Sequence, residues 1–305
     1  MKPKKLIVVV GPTAIGKTKL AISLAQHFKT QIISSDSRQF FKEMGIGTAV
    51  PSKEELDAAP HHLIQHISIQ QPYSVGDFEK DALKVLNEIF EHNDHAILVG
   101  GSGLYTDALV HGLDVFPEVP TNVREELNVT FEKNGIEALQ EELLKTDPDY
   151  YHSVDLMNPH RIIRALEIIR SSGKPFSSFL KKHTIQRPFH TVYLGITAER
   201  KVIYGRINLR VDEMIKQGLL EEAKSLYDHR SLNALQTVGY KELFQFLDSE
   251  ITLDFAISEI KKNTRRFAKR QLTWLRKNSD ILWVDYGTDI KEVIRQLHSK
   301  LDHFD

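Results

Sequence analysis

The chain of 305 residues contains no cysteine. Disulfides are excluded, and so are thiolate metal sites and the structural zinc modules built on them. No apolar run approaches the roughly 20 residues that a membrane-spanning helix needs. The opening "MKPKK" leads straight into an apolar strand pattern, with no signal-peptide stretch before it. The expectation is a cytoplasmic monomer with no membrane partner. Excess charge of one sign is missing too: 40 Lys and Arg stand against 41 Asp and Glu, for a formal net charge of −1. As an average, that argues against a nucleic-acid partner. Internal repeats and low-complexity tracts are absent. What remains is the composition of an ordinary globular protein, 41% hydrophobic and 27% charged, long enough for one large domain or a domain with an insertion.

The average conceals a segregation of charge. "KKNTRRFAKRQLTWLRK" (261–277) carries eight Lys or Arg and no acid, while "EEL" and "EKNGIEALQEELL" between 125 and 144 supply compensating acids. A local basic face binds a polyanion whatever the total. The spacing predicts a helix with Lys261, Arg265 and Lys269 on one stripe and Lys262, Arg266 and Arg270 on another, anchored by Phe267, Trp274 and Leu275. Two basic stripes without an acid repel each other in an ordinary surface helix. A polyanion that supplies the missing charge is the better account.

Five short β-branched runs read as buried strands: 6–10, 31–34, 96–99, 192–196 and 281–284. Helical patterns such as "KLAISLAQHF" and "VGDFEKDALKVLNEIF" separate them, so the fold class is α/β, a parallel sheet flanked by helices. Ligands in such sheets lie beyond the carboxyl ends of the strands. Polar or glycine-rich segments follow the first four: "GPTAIGKT", "SDSRQ", "GGSGLY" and "TAERK". Between "VFPEVP" and "IQRPFH" the strand signal stops, which predicts an all-helical subdomain over 116–186 inserted into a core made of 1–115 and 187–305.

"GPTAIGKT" matches the phosphate-loop pattern in its proper setting, after a strand and opening a helix. Gly11 and Gly16 let backbone N–H groups turn inward around phosphate oxygens, Lys17 adds a point charge, and Thr18 offers a hydroxyl suited to Mg²⁺. The pattern identifies a phosphate, not ATP. A triphosphate-hydrolysing enzyme also needs a carboxylate for Mg²⁺ at the end of a neighbouring strand, and the third run ends in "VGGSG" instead. Asp36, just after the second strand, reads equally as a general base or water-mediated Mg²⁺ partner and as a cap on the next helix. His61 and His62 are adjacent and point apart on any regular element, so a polar or structural role suits them better than a metal. Arg206 and Arg210 are four apart on one helical face, placed either to lean over the phosphates or to pair with acids such as Glu213. Arg161, Arg164 and Lys174 belong to a helix begun near Pro159 and ended by Gly173.

Together, "GPTAIGKT", "DSRQFF…GIGTAVP", "PHHLI", "YSVGDF", "GGSGLY", "NPHRIIRALEI", "RVDEMIKQGLLEEA", "TVGYKE" and "TRRFAKRQLTWLRK", spread in order over residues 11–277, resemble the tRNA dimethylallyltransferases (tRNA isopentenyltransferases). The resemblance implies a P-loop NTPase-like core and transfer of a dimethylallyl group from its diphosphate to an adenine N6. That adenine lies 3′ to the anticodon of tRNAs that read codons beginning with U. Carried over by motif, Gly11, Pro12, Thr13, Ala14, Ile15, Gly16, Lys17 and Thr18 would hold the diphosphate, with Thr18 on Mg²⁺. Asp36 would be the base, with Ser102 and Arg210 as further catalytic groups and Ser37, Arg38 and Gln39 on the target nucleotide. Contacts to tRNA would come from these and from Arg124, His160, Arg161, Ile162, Ile163, Arg164, Gln236, Thr237, Val238, Gly239, Tyr240, Lys241, Arg265, Arg266, Lys269 and Arg270. Three positions depart from the family pattern: Ser102 for the usual Thr, Val50 for Lys, and Gln65 for Asp. Losing both an acid and a base reads either as a vanished ion pair or as a diverged copy with shifted tRNA preference. Prenylation of free adenine nucleotides, a P-loop small-molecule kinase and a non-catalytic RNA-binding protein are the competing readings. The basic helix and the insertion weigh against the first, the second has no need for the basic helix, and intact Lys17, Thr18 and Asp36 weigh against the third.

Overall fold

The computed structural model describes residues 3–180 and 185–304, so residues 1, 2, 181–184 and 305 of the ranges above lie outside the described residues. Six strands, β1 (Lys5–Val10), β2 (Ile32–Ser34), β3 (His61–His62), β4 (His95–Val99), β5 (His190–Thr197) and β6 (Leu282–Asp285), form one parallel sheet in the order β3-β2-β4-β1-β5-β6. Strand β3 was not expected: a two-residue pair of histidines has no alternating pattern to reveal it. It pairs with β2 through Ile32–His61 and Ile33–His62. The side chains of these histidines bond Ala59 O and Gln31 Oε1, the structural role that adjacency suggests.

The described residues form twelve α-helices: α1 (Lys17–Phe28), α2 (Lys53–Ala58), α3 (Val75–His92), α4 (Gly103–His111), α5 (Thr121–Thr146), α6 (Pro148–Tyr151), α7 (Pro159–Ser172), α8 (Arg200–Lys216), α9 (Leu219–Ser225), α10 (Tyr240–Leu247), α11 (Leu253–Leu275) and α12 (Ile290–Leu301). The central strand β1 is buried on both faces, as a parallel strand should be. Ile7 and Val9 pack with α1, α8 and α12 through residues such as Leu24, Ile207 and Leu297. Leu6, Val8 and Val10 face the other way, onto Phe78, Leu86 and Ile89 of α3 and Leu109 of α4. A further cluster joins α8 to α11 around Leu219, Leu243 and Tyr240 and takes in Phe41 and Met44.

The chain divides into two compact units, residues 1–111 with 187–305, and residues 112–186. The second unit is helical. Its α5 is broken at Gly135, whose φ of 76° only glycine adopts without strain, and α5 packs on α7 through Leu127, Leu139, Ile162 and Leu166. Asn158 caps α7 and Gly173, at φ 68°, ends it. No helix among the described residues is long and apolar enough to cross a membrane.

Candidate active site

The site lies where β1 gives way to α1. Gly11, at φ 150°, passes so close to β5 that a Cβ there would sit 2.7 Å from Ile196 O. Ala14 takes a positive φ of 65° without being glycine, and Gly16, at φ 106°, caps α1 without a side chain. Strain of this kind gathers at functional turns. With no side-chain cap and no acid in its first turn, α1 presents unpaired N–H groups and a positive end. That is an anion site by construction. The Lys17 ammonium donates to Gly11 O at 3.0 Å and Pro12 O at 2.9 Å. The side chain as a whole is half-buried, yet withdrawal of its tip from water pulls the pKa down to about 8, with Asp36 opposing the shift and Arg210 adding to it.

Helix α8 delivers both arginines to the loop. Arg206 Nε donates to Ala14 O at 2.7 Å, and its guanidinium stacks on Tyr286 while bonding that hydroxyl. Arg210 reaches Thr13 Oγ1 at 3.4 Å, and its pKa is lowered by burial, with Asp36 opposing. Glu213 pairs with Lys216 instead, so the salt-bridge reading of Arg210 fails. Asp36 is not on the strand next to β1, because β4 lies between β1 and β2. Its charge nonetheless acts on both Lys17 and Arg210. Asp36 also accepts from Arg38 N at 3.1 Å, so it caps a turn at 37–40, not a helix. Ser102, at the end of β4 and just before α4, bonds Ser37 through both N (3.2 Å) and Oγ (3.1 Å). Thr18 Oγ1 makes no hydrogen bond among the described residues, and no cluster of three His, Cys, Asp or Glu is present there.

Several residues carried over as tRNA contacts are turned inward. Ile162 and Ile163 are buried in the helical unit's core and Tyr240 is wholly buried, so none of the three offers a surface to RNA. The Tyr240 hydroxyl donates to Glu222, whose two carboxylate oxygens also accept the N–H groups of Gly45, Ile46 and Gly47 at 2.8–3.0 Å. Gln39 spends its amide on Thr48 O and Ala49 O, and Arg38 Nη1 donates to Asn233 O and Ala234 O. Gln236 bonds Arg230 O; Val238 is half-buried and Gly239 buried, while Lys241 is exposed. The departing positions Val50 and Gln65 abut one turn: Val50 N donates to Gly45 O, and Gln65 Nε2 lies 3.7 Å from where a Gly45 Cβ would be. In the helical unit, Arg124 and Arg164 converge on buried Glu167 at 3.1 and 3.2 Å, while His160 and Arg161 are exposed.

Helix α11 is less uniformly unpaired than its sequence suggests. Lys261 pairs with Asp212 and Lys262 with Glu259, so one basic residue of each stripe is balanced. Arg265 bonds Asn208. Arg266, Lys269, Arg270 and Lys277 make no ion pair among the described residues and border a concavity with Thr273 and Trp274. Phe267 is 39% exposed and not a buried anchor, whereas Leu275 is buried. Glu222 and Gln271 are the structural participants that sequence reasoning missed. Each lies inside a matched motif but carries no charge pattern that marks it.

A parallel sheet whose central strand enters a glycine-rich loop of phosphate-loop pattern, with glycines and not a carboxylate at the end of neighbouring β4, defines an α/β protein of P-loop NTPase-like fold. Residues 39–278 match the family model described as IPP transferase. The tRNA dimethylallyltransferases of Christiangramia forsetii and Flavobacterium johnsoniae are 58% and 56% identical, over 97% and 98% of this chain and 98% of each relative. Among solved structures, the tRNA isopentenylpyrophosphate transferase of Bacillus halodurans is 39% identical with TM-score 0.73, covering 99% of this chain and 96% of its own. A eukaryotic dimethylallyltransferase acting on tRNA is 29% identical with TM-score 0.81, covering 94% and 75%. The chain belongs to the IPP transferase family.

Proposed function

We propose that this protein transfers a dimethylallyl group from dimethylallyl diphosphate to N6 of the adenine 3′ to the anticodon in tRNAs that read codons beginning with U. The observation that carries the reading is the charge set at the loop: Lys17 bonds Gly11 O and Pro12 O, Arg210 bonds Thr13 Oγ1, both cations are withdrawn from water, and the Asp36 charge acts on both. As the allylic C–O bond breaks, its electron pair goes to the diphosphate, where Lys17, Arg210 and the α1 amides stabilise the growing charge. The N6–carbon bond forms, and the proton leaving N6 passes to Asp36. No phosphoanhydride is cleaved, so no carboxylate is needed at the end of β4. One protein hydroxyl plus ligand oxygens suits Mg²⁺, which keeps several waters; Thr18 would hold it, and when bound it neutralises diphosphate charge. Exclusion of water from the carbon end protects the allylic cation.

This reading goes with a monomer working in the cytoplasm, with the exposed cations of α11 and α7 on tRNA phosphates. Incubation with dimethylallyl diphosphate, Mg²⁺ and unmodified tRNA should yield N6-prenyladenosine in digested nucleosides by mass spectrometry. Absence of product from every tRNA that reads U-initial codons would refute it. AMP as acceptor and ATP as donor, run in parallel, separate the free-nucleotide and kinase readings.

A further inference from the structure

Strands β1 and β4 are in register as far as Val9 and Val99, and the loops that leave them, 11–16 and 100–102, carry the two halves of the proposed chemistry. Beyond the strand ends, the only hydrogen bonds between these loops among the described residues run through the amide of Gln271 on α11. Its Oε1 accepts from Thr13 N at 2.9 Å, and its Nε2 donates to Gly101 O at 2.9 Å. The residue is 7% exposed. The approach is tight enough that a Cβ on Gly101 would collide with Nε2, and one on Gly103 would collide with Trp274 a turn later on α11. Glycine stands at 11, 100 and 101, and the hydroxyls that the loops do carry, on Thr13 and Ser102, bond Arg210 and Ser37, not each other.

We infer that Gln271 is a positioning residue that fixes the phosphate loop against the Ser102 loop, and so sets the separation between bound diphosphate and Asp36. The linkage is continuous. Thr13 touches Arg210, and Gly101 leads to Ser102, whose hydroxyl holds Ser37 beside Asp36. The amide works in one orientation only, because Thr13 N can only donate and Gly101 O can only accept. The inference rests on the proposed transfer reaction, in which carbon end and base must meet at near-attack distance.

Gln271→Glu provides a test with a chemical signature. Ionised, the new carboxylate still accepts from Thr13 N but faces Gly101 O with a lone pair. Protonated, it restores the donor and reproduces the amide. The charged groups of the candidate site, Lys17 on α1, Arg210 on α8 and Asp36 after β2, are present in variant and wild type alike, so the ratio of their rates isolates the new carboxyl group. Under saturating donor and tRNA, the single-turnover rate should fall by about 10²-fold at pH 8, and the ratio should recover as pH is lowered. A ratio independent of pH overturns the inference. Gln271→Met, which keeps the volume and removes both bonds, should stay slow at every pH, keep its pyrophosphate affinity within about threefold, and speed hydrogen exchange at the Thr13 amide. Unchanged exchange there overturns the inference even if the wild type makes no product, an outcome that would refute the transfer reading separately.

Discussion

Burial lowers the Lys17 pKa to about 8 from an ordinary 10.5, against the pull of Asp36. Folding therefore makes the cation less favoured than it is in the unfolded chain: between pH about 8 and 10.5 Lys17 binds fewer protons folded than unfolded, and stability rises with pH across that window. A bound diphosphate reverses the balance by supplying negative charge, which raises the pKa. Pyrophosphate binding should then take up protons, and its affinity should decline as pH rises through about 8 and into that window. Calorimetry in buffers of different ionisation enthalpy checks this, and Lys17→Met should abolish the uptake. At Asp36 the expectation is a split: Asp36→Asn should lower the single-turnover rate by about 10²–10⁴-fold and leave pyrophosphate affinity no weaker than in the wild type. Equal losses in both would make Asp36 a binding group instead. The cap weighed for this residue from sequence closes a turn instead of a helix, with Oδ1 holding Arg38 N, while the charge bears on Lys17 and Arg210. A short-range cap is legible in "SDS", but a charge acting across β4 requires the fold.

At the scale of elements, the apolar runs gave away five of six strands because burial on both faces leaves an unbroken β-branched signature. Helix faces were harder. A motif names consecutive residues, whereas a helix presents them to different sides; this is why "HRIIR" in α7 yields exposed His160 and Arg161 but buried Ile162 and Ile163. Ile162→Ala should destabilise the helical unit by about 2–5 kcal/mol without changing the RNA affinity of the folded fraction. Arg161→Ala should do the reverse, as read by thermal unfolding and by a binding titration. The same logic sorts α11. Lys269→Ala and Arg270→Ala should each reduce the slope of log affinity against log salt by roughly 0.7–0.9. Lys261→Ala should move it less, because Asp212 already neutralises that charge. No window of sequence around 261 could reveal that acid, since it arrives from α8.

For the whole molecule, the insertion was visible as a gap in the strand pattern, and its apolar residues close on themselves. Leu127, Leu139, Leu143, Ile162 and Leu166 form a cluster of their own, separate from the clusters on the two faces of the sheet. Every strand and every loop of the candidate active site belongs to the other unit. A core that does not depend on the insertion's side chains should survive its loss. Replacing residues 113–185 by a Gly-Ser linker should therefore leave a folded protein whose pyrophosphate affinity and Lys17 proton uptake match the intact chain. What it should lose is RNA affinity, together with the part of the salt slope contributed by Arg161 and the half-exposed Arg124 and Arg164. The last two spend one contact each on Glu167 and keep further N–H groups for a phosphate. If the shortened chain bound tRNA as tightly as the full one, the anticodon arm would be held by α11 and the sheet-based unit alone, and the role assigned to the helical unit would fall.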